Sequence, residues 1–230
     1  MKTIGLIGGM SWQSSIEYYR IINETVAEQL GGTHSAKSVM LSVDFAEIEE
    51  LQIAGKWVEQ SEILISCARQ LQNAGADFVL ICTNTMHLLA EEVQNSIQIP
   101  LLHIADAAGE IIQSKGIRTV GLLGTRFTME KDFYKVRLKE KFDITTIIPN
   151  EGEMEIIHNV IYDELVTGDI NPISKGKYLE IMDRLVERGA EGIVLGCTEI
   201  GLLVNEHDTS IPLFETSSIH ATAAVRMALA

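Results

Sequence analysis

Two short stretches concentrate the reactive side chains of this chain: Gly196-Cys197-Thr198-Glu199 and Cys82-Thr83-Asn84-Thr85. A cysteine thiol has an ordinary pKa of about 8.5, so a modest depression makes it a base or nucleophile near neutrality. Cys197 stands where an apolar strand ends and a helix begins. The dipole and free N–H groups of a helix start favour thiolate there, so the expectation is a readily ionised thiol. The competing reading is a buried structural cysteine. That reading is preferred for Cys67, on an apolar helix face, and for Cys82, which reads as the last residue of a strand. Thr83, Asn84 and Thr85 add two hydroxyls and an amide to helix-start N–H groups, a set suited to a carboxylate. Helix capping uses the same residue types, but capping alone does not need three in a row. His87, one turn further on, is read as packing or capping. Lys175, before an amphipathic helix, is a candidate cation for a second acid group, or else a solvated surface lysine.

Both reactive stretches close apolar runs too short for helices. Gly75-Ala76 leads into Phe78-Val-Leu-Ile81, and Gly189-Ala190 leads into Ile193-Val-Leu195. These read as buried strands, each preceded by an amphipathic helix. In open parallel sheets, ligands bind at the carboxyl ends of the strands. The chain also repeats itself. Gly5-Leu-Ile-Gly-Gly9 answers Gly121-Leu-Leu-Gly-Thr125, 116 residues on; Gly75-Ala76 answers Gly189-Ala190 after 114; Ile99-Pro-Leu-Leu102 answers Ile211-Pro-Leu-Phe214 after 112. Three matches in one order, at an offset of half the chain, predict two like halves, residues 1–104 and 105–230, with the last helix able to pack back on the first half.

The predicted elements alternate strand and helix throughout, the pattern of an α/β protein with parallel sheets. Strands are expected at 3–8, 38–43, 77–82, 100–103, 118–123, 144–148, 192–196 and 211–214. The first helix should bury Tyr19, Ile22, Val26 and Leu30, and a helix ending at Ala74 should bury Ile63, Cys67 and Leu71. Further helices are expected at 86–95, from Ala105 to Gly116, at 128–142, 153–166 and 173–188, and from Ser217 or Ser218 onward.

Composition narrows the partners. The 230 residues carry a formal net charge of −14, which speaks against nucleic acid, whose affinity rests on Lys and Arg contacts to phosphate. The three cysteines have neither metal spacing nor a disulfide framework, which points to a reducing compartment. The N-terminal apolar run is short and broken by glycines, unlike a signal peptide. No window approaches 18 apolar residues, so no membrane helix is expected. The reading is a cytoplasmic protein. The turn after the first strand, Gly8-Gly9-Met10, misses the dinucleotide spacing G-x-G-x-x-G. There is no P-loop, no His-Glu-x-x-His, no zinc spacing among the six histidines and no Gly-x-Ser-x-Gly elbow.

Met1-Lys-Thr-Ile-Gly-Leu-Ile-Gly-Gly-Met10, Cys82-Thr-Asn-Thr-Met-His87 and Gly196-Cys-Thr-Glu199 together resemble the aspartate/glutamate racemase family, along the whole chain. The resemblance implies a cofactor-independent amino-acid racemase of two pseudo-symmetric parallel-sheet αβα domains. Its active site would lie in the cleft between them, and the enzyme would commonly be a homodimer. It implies two cysteines on opposite faces of the substrate, one thiolate removing the α-proton and the other thiol returning one. Here the sequence departs from the family. Thr83 stands where the first cysteine belongs, and Cys82, one residue earlier on a strand, points to the other face. Thr83 and Cys197 thus fill the two catalytic positions. A hydroxyl is a poor base unless activated, so Cys197 is read as the abstracting group and Thr83, or a water it holds, as the donor. The resemblance further assigns Asn84, Thr85 and Thr198 to the substrate's α-carboxylate and ammonium, and Met10 to the border of the site. It assigns Gln52 and Lys175 to the distal carboxylate, Thr125 and Thr128 to the pocket lining, and Glu199 to the ammonium or the thiol. The arginine common at the distal subsite is not evident. Two alternatives stay open: a one-cysteine decarboxylase or cis–trans isomerase of the same superfamily, and a non-catalytic binder of small acids.

Overall fold

The computed structural model describes all 230 residues. Seven strands and eleven α-helices alternate along it. The strands are β1 (Ile4–Gly8), β2 (Ser38–Ser42), β3 (Phe78–Ile81), β4 (Thr119–Gly124), β5 (Thr145–Ile147), β6 (Ile193–Gly196) and β7 (Leu213–Glu215). The helices of the first half are α1 (Trp12–Leu30), α2 (Phe45–Ile53), α3 (Trp57–Asn73) and α4 (Ala90–Asn95). Those that follow are α5 (Ile104–Ser114), α6 (Arg126–Glu130), α7 (Asp132–Phe142), α8 (Glu151–Asp163), α9 (Pro172–Glu187), α10 (Ile200–Leu203) and α11 (Thr216–Leu229). The chain divides into two compact units, one of residues 1–104 with 220–230, the other of residues 105–219.

Each unit is built on its own parallel sheet, of order β2-β1-β3 in the first and β5-β4-β6-β7 in the second. The sequence repeat is visible in the register. Gly5 pairs with Val79 in one sheet and Gly121 with Ile193 in the other. Val79 then bridges Leu101, and Ile193 pairs with Leu213. The parallel α/β architecture read from the sequence is therefore present twice, with three strands in the first sheet and four in the second. The expected strand at 100–103 shrinks to that single bridge at Leu101.

Both faces of each sheet are covered, which is why its central strands are apolar almost throughout, with Thr119 at the start of β4 the exception. In the first unit Ile7, Val79 and Ile81 pack with Leu64, Cys67 and Leu71 of α3. Ile4, Leu6, Phe78 and Leu80 point the other way, onto Tyr18, Ile22 and Val26 of α1 and Ala221, Ala224 and Val225 of α11. Each fully buried Val, Leu, Ile or Phe among these is worth about 1.5–3 kcal/mol. In the second unit Leu123, Ile193 and Leu195 pack on Ile157 and Ile161 of α8 and Ile181 and Leu185 of α9.

Several helical expectations shift. The buried stripe of α1 runs through Tyr18, not Tyr19, and Leu30 is exposed. The i,i+4 set Ser14, Tyr18, Ile22, Val26 forms the buried face of the helix, which Ser11 caps. In α3 Leu64 is buried, while Ile63 is only partly so. The expected helix at 86–95 is a 3₁₀ turn, Thr85–Leu89, followed by α4. The helix expected at 128–142 breaks between α6 and α7 at Lys131, whose backbone is extended.

Candidate active site

In each sheet the strand order reverses beside the first strand, and ligands of open α/β sheets bind beyond the strand ends at such a switch. The sequence-read site residues are distributed over the two switch points, one in each unit.

In the first unit the switch lies between β1 and β3. Gly9 turns the chain at φ +93°, and its N–H donates to Ser15 Oγ at 2.8 Å. Met10 follows, buried with Met86 in the same apolar cluster. Gln52, on α2, is buried and its Nε2 donates to Met86 Sδ at 3.1 Å. Beyond β3 come Thr83, half-buried, and Asn84 and Thr85, both buried. The 3₁₀ turn that follows has no side-chain cap from Asn84, so capping does not account for that residue. Cys82 is wholly buried among Ile4, Leu6, Phe78 and Leu80, with its N–H bonded to Ile7 O at 2.9 Å. Burial pushes its thiol pKa far up, and it stays a core residue. Met10, Gln52 and the Thr83–Thr85 loop thus come together at one end of this sheet.

In the second unit the switch lies between β4 and β6. Thr125 caps α6, its Oγ1 accepting from Thr128 N–H at 3.3 Å and lying 3.2 Å from Thr128 Oγ1. Thr128 is fully buried, with its Cβ and Cγ2 against the glycine backbones at 124 and 196. That packing explains both glycines, since a Cβ at Gly196 would also come within 2.9 Å of Leu123 O. Cys197, half-buried, follows β6 directly. Its thiol donates to Glu199 Oε2 at 3.0 Å, and Thr198 Oγ1 donates to the same oxygen at 2.6 Å. Glu199 is buried.

This geometry corrects the expectation of an easily ionised thiol. Burial raises the Cys197 pKa well above the ordinary range, and the Glu199 charge and the hydrogen bond to it raise it further; backbone N–H groups of Glu199 and Thr198 offset this only partly. Helix α10 is a single turn of four residues, too short for the dipole the sequence promised. At rest the pair is a thiol hydrogen-bonded to a carboxylate.

Lys175, at the start of α9, has its charge paired within its own unit: Nζ lies 2.5 Å from Asp208 Oδ1. Two residues that the sequence reading left aside also bear on the site. Tyr178, on α9, is buried, donates to Ile157 O at 3.0 Å, and has its pKa raised chiefly by burial. His87 Nδ1 lies 2.8 Å from Thr83 O. Nothing in the sequence marks Tyr178, but the i,i+4 spacing of His87 from Thr83 was a usable signal.

The profile of the Asp/Glu/Hydantoin racemase family matches residues 7–224. The chain belongs to that family. It is an isomerase of the amino-acid racemase class. A Yersinia pestis protein assigned to the Asp/Glu racemases is 49% identical, with a TM-score of 0.94 and full coverage of both chains. An aspartate racemase homologue from Pyrococcus horikoshii OT3 is 33% identical, with a TM-score of 0.88 and full coverage of both. The broad specificity amino-acid racemase RacX of Bacillus subtilis is 25% identical over 179 residues, covering 75% of this chain and 74% of that protein. The racemase fold is therefore matched from end to end. No helix is long and apolar enough to cross a membrane.

Proposed function

We propose that this racemase-family enzyme interconverts the enantiomers of an acidic amino acid, aspartate or glutamate, without a cofactor, with Cys197 and Thr83 as its two proton-handling residues. The observation that carries this reading is Cys197, the one half-exposed thiol, at the switch point of β4 and β6 with a carboxylate on its proton. The relatives named for aspartate and glutamate support the substrate class; the broad-specificity relative widens the panel to be tested.

In the proposed reaction the Cys197 S–H bond breaks as Glu199 Oε2 takes its proton. The thiolate then removes the α-proton of the substrate, re-forming S–H. The carbanion takes a proton on its other face from the Thr83 hydroxyl or a water held by it. That donor is reprotonated through solvent as Glu199 returns its proton, so charge and protons balance. Thr83 is a weaker acid–base group than a thiol, so kcat and KM differ between the two directions, while kcat/KM stays equal in both because the equilibrium constant between enantiomers is one. Asn84, Thr85 and Thr198 are read as holding the α-carboxylate and ammonium, with Gln52 and Met10 bordering the side chain. Lys175 serves the distal carboxylate only if the substrate competes with Asp208 for it.

The burial of Cys82 favours a second reading, a one-thiol decarboxylase that protonates a carbanion left by loss of CO₂. The test of both is α-proton exchange of L- and D-aspartate and L- and D-glutamate in D₂O without added cofactor, followed by proton NMR with circular dichroism for inversion. Exchange with inversion, lost in Cys197→Ser, supports the racemase. Inertness towards all amino acids, with CO₂ released from malonate-type acids, replaces it with the decarboxylase.

A further inference from the structure

We propose that His87 is a positioning residue for Thr83, its imidazole fixing the peptide that carries the hydroxyl. The inference rests on the reading of Thr83 as part of the racemase site. His87 lies in the 3₁₀ turn after Thr83 and is 2% exposed. Nδ1 is 2.8 Å from the Thr83 carbonyl oxygen. A carbonyl only accepts, so the proton is on Nδ1. The Ile104 N–H donates to Nε2 at 3.2 Å, so Nε2 carries the lone pair. Only the neutral Nδ1–H tautomer makes both bonds, and a ring flip breaks both.

The bond stands in for a missing backbone one. In an α-helix the carbonyl of residue i is taken by the N–H of residue i+4. Here the His87 N–H goes instead to Asn84 O at 3.0 Å, the 3₁₀ pattern. The His87 side chain takes the Thr83 carbonyl in its place. Without it the Thr83 carbonyl loses this side-chain donor, and the backbone that carries the Thr83 hydroxyl into the turn is held less firmly.

The far side of the ring is held as firmly. Its neighbours are His103, with ring centroids 4.6 Å apart, and His220, at 5.7 Å. His220 Nε2–H donates to Leu102 O at 2.9 Å, and Tyr18 O–H donates to His220 Nδ1 at 2.8 Å. The peptide groups on both sides of His103 are therefore pinned by imidazoles, Leu102 C=O by His220 and Ile104 N–H by His87. That anchored segment is the support against which His87 holds Thr83. A rigid second layer of this kind matters because a displacement of about 1 Å at a reacting group can cost about 10²-fold in rate.

Two substitutions separate positioning from packing. His87→Asn keeps an N–H near the Nδ1 position for Thr83 O and loses the acceptor for Ile104. His87→Gln keeps an acceptor near the Nε2 position and loses the donor to Thr83. Both remove similar ring volume. In the exchange assay on the full chain, His87→Gln is expected to lose about 10–100-fold in kcat with KM changed less than about threefold. His87→Asn is expected to keep at least about a third of the wild-type rate at a comparable Tm. Equal losses in the two variants overturn the proposal. Long-range ¹H–¹⁵N spectra of the wild-type protein give an answer that needs no variant to fold: an Nδ1–H tautomer is expected, and Nε2–H overturns the proposal. A wild-type protein inert towards every amino acid fails the racemase reading and this role with it. An active wild type with equal variants or the wrong tautomer fails this proposal alone.

Discussion

The thiol of Cys197 donates its hydrogen bond to Glu199 Oε2 across 3.0 Å, two residues along the same turn. Thr198 Oγ1 donates to that oxygen as well, at 2.6 Å. One carboxylate oxygen thus gathers the protons of two neighbouring side chains, which holds Glu199 in place and keeps Cys197 protonated at rest. Whether Glu199 hinders or enables the thiol depends on the step considered. Its charge opposes free thiolate, yet in the proposed reaction it is the acceptor that lets the thiolate form when substrate is bound.

Glu199→Gln separates those effects. Removing the charge should move the pH profile of Cys197 alkylation by iodoacetamide to lower pH, because Glu199 raises the thiol pKa. If Glu199 is the proton acceptor, exchange should nonetheless fall by about 10²-fold, the scale of a lost general base. Mass spectrometry of the Cys197 peptide and the exchange assay read the two quantities separately.

Thr83→Cys supplies the missing second thiol, a far better acid–base group than a hydroxyl at neutral pH. The ratio of the L-to-D and D-to-L kcat values should move towards one, while kcat/KM, held equal in the two directions by an equilibrium constant of one, changes in both together. Circular dichroism started from each enantiomer measures that ratio. An unchanged ratio makes Thr83 a bystander.

Alkaline pH should destabilise the fold. Burial raises the pKa values of Cys67, Cys82, Cys197, Tyr134 and Tyr178 above the ordinary values of about 8.5 for a thiol and about 10 for a phenol. Below about pH 7.5 folded and unfolded chains both keep these protons, and pH acts on neither through them. Above it the unfolded chain releases them first, so stability falls as pH rises, by at most about 1.4 kcal/mol per unit for each group. Urea midpoints from pH 8 to pH 11 should decline progressively, with the slope steepening above pH 10 as the tyrosines join.

Gly9→Ala should be severely destabilising. At φ +93° a Cβ would meet Val43 O at 2.2 Å and Val43 N at 2.6 Å, both backbone atoms on the strand exit next to β1. Neither can swing aside as a side-chain tip can. A loss of about 3 kcal/mol or more is expected from clash and left-handed strain together. Urea denaturation followed by far-ultraviolet circular dichroism measures it, and a loss under 1 kcal/mol contradicts the close approach.

The parallel α/β architecture and its duplication are legible in the order of residues alone. A central parallel strand is buried on both faces, so runs such as Phe78-Val-Leu-Ile81 and Ile193-Val-Leu195 are apolar without a break and stand out in one dimension. The turn residues at their ends, Thr83 to Thr85 and Cys197 to Glu199, stand out for the opposite reason, as polar groups crowded where a core strand stops. What one dimension does not carry is the environment each side chain meets. Tyr18 and Tyr19 both fit the apolar spacing with Ile22, and only packing in the fold buries Tyr18 and leaves Tyr19 exposed. The Lys175 charge was taken by Asp208, 33 residues further on. The protonation of Cys197 was decided by burial and by the direction in which Glu199 turned its carboxylate. His87 gained its role only when folding brought Ile104 N–H to its second nitrogen. A pKa or a tautomer depends on distances of about 3 Å between groups apart in sequence or free in rotamer, and only the tertiary structure sets those.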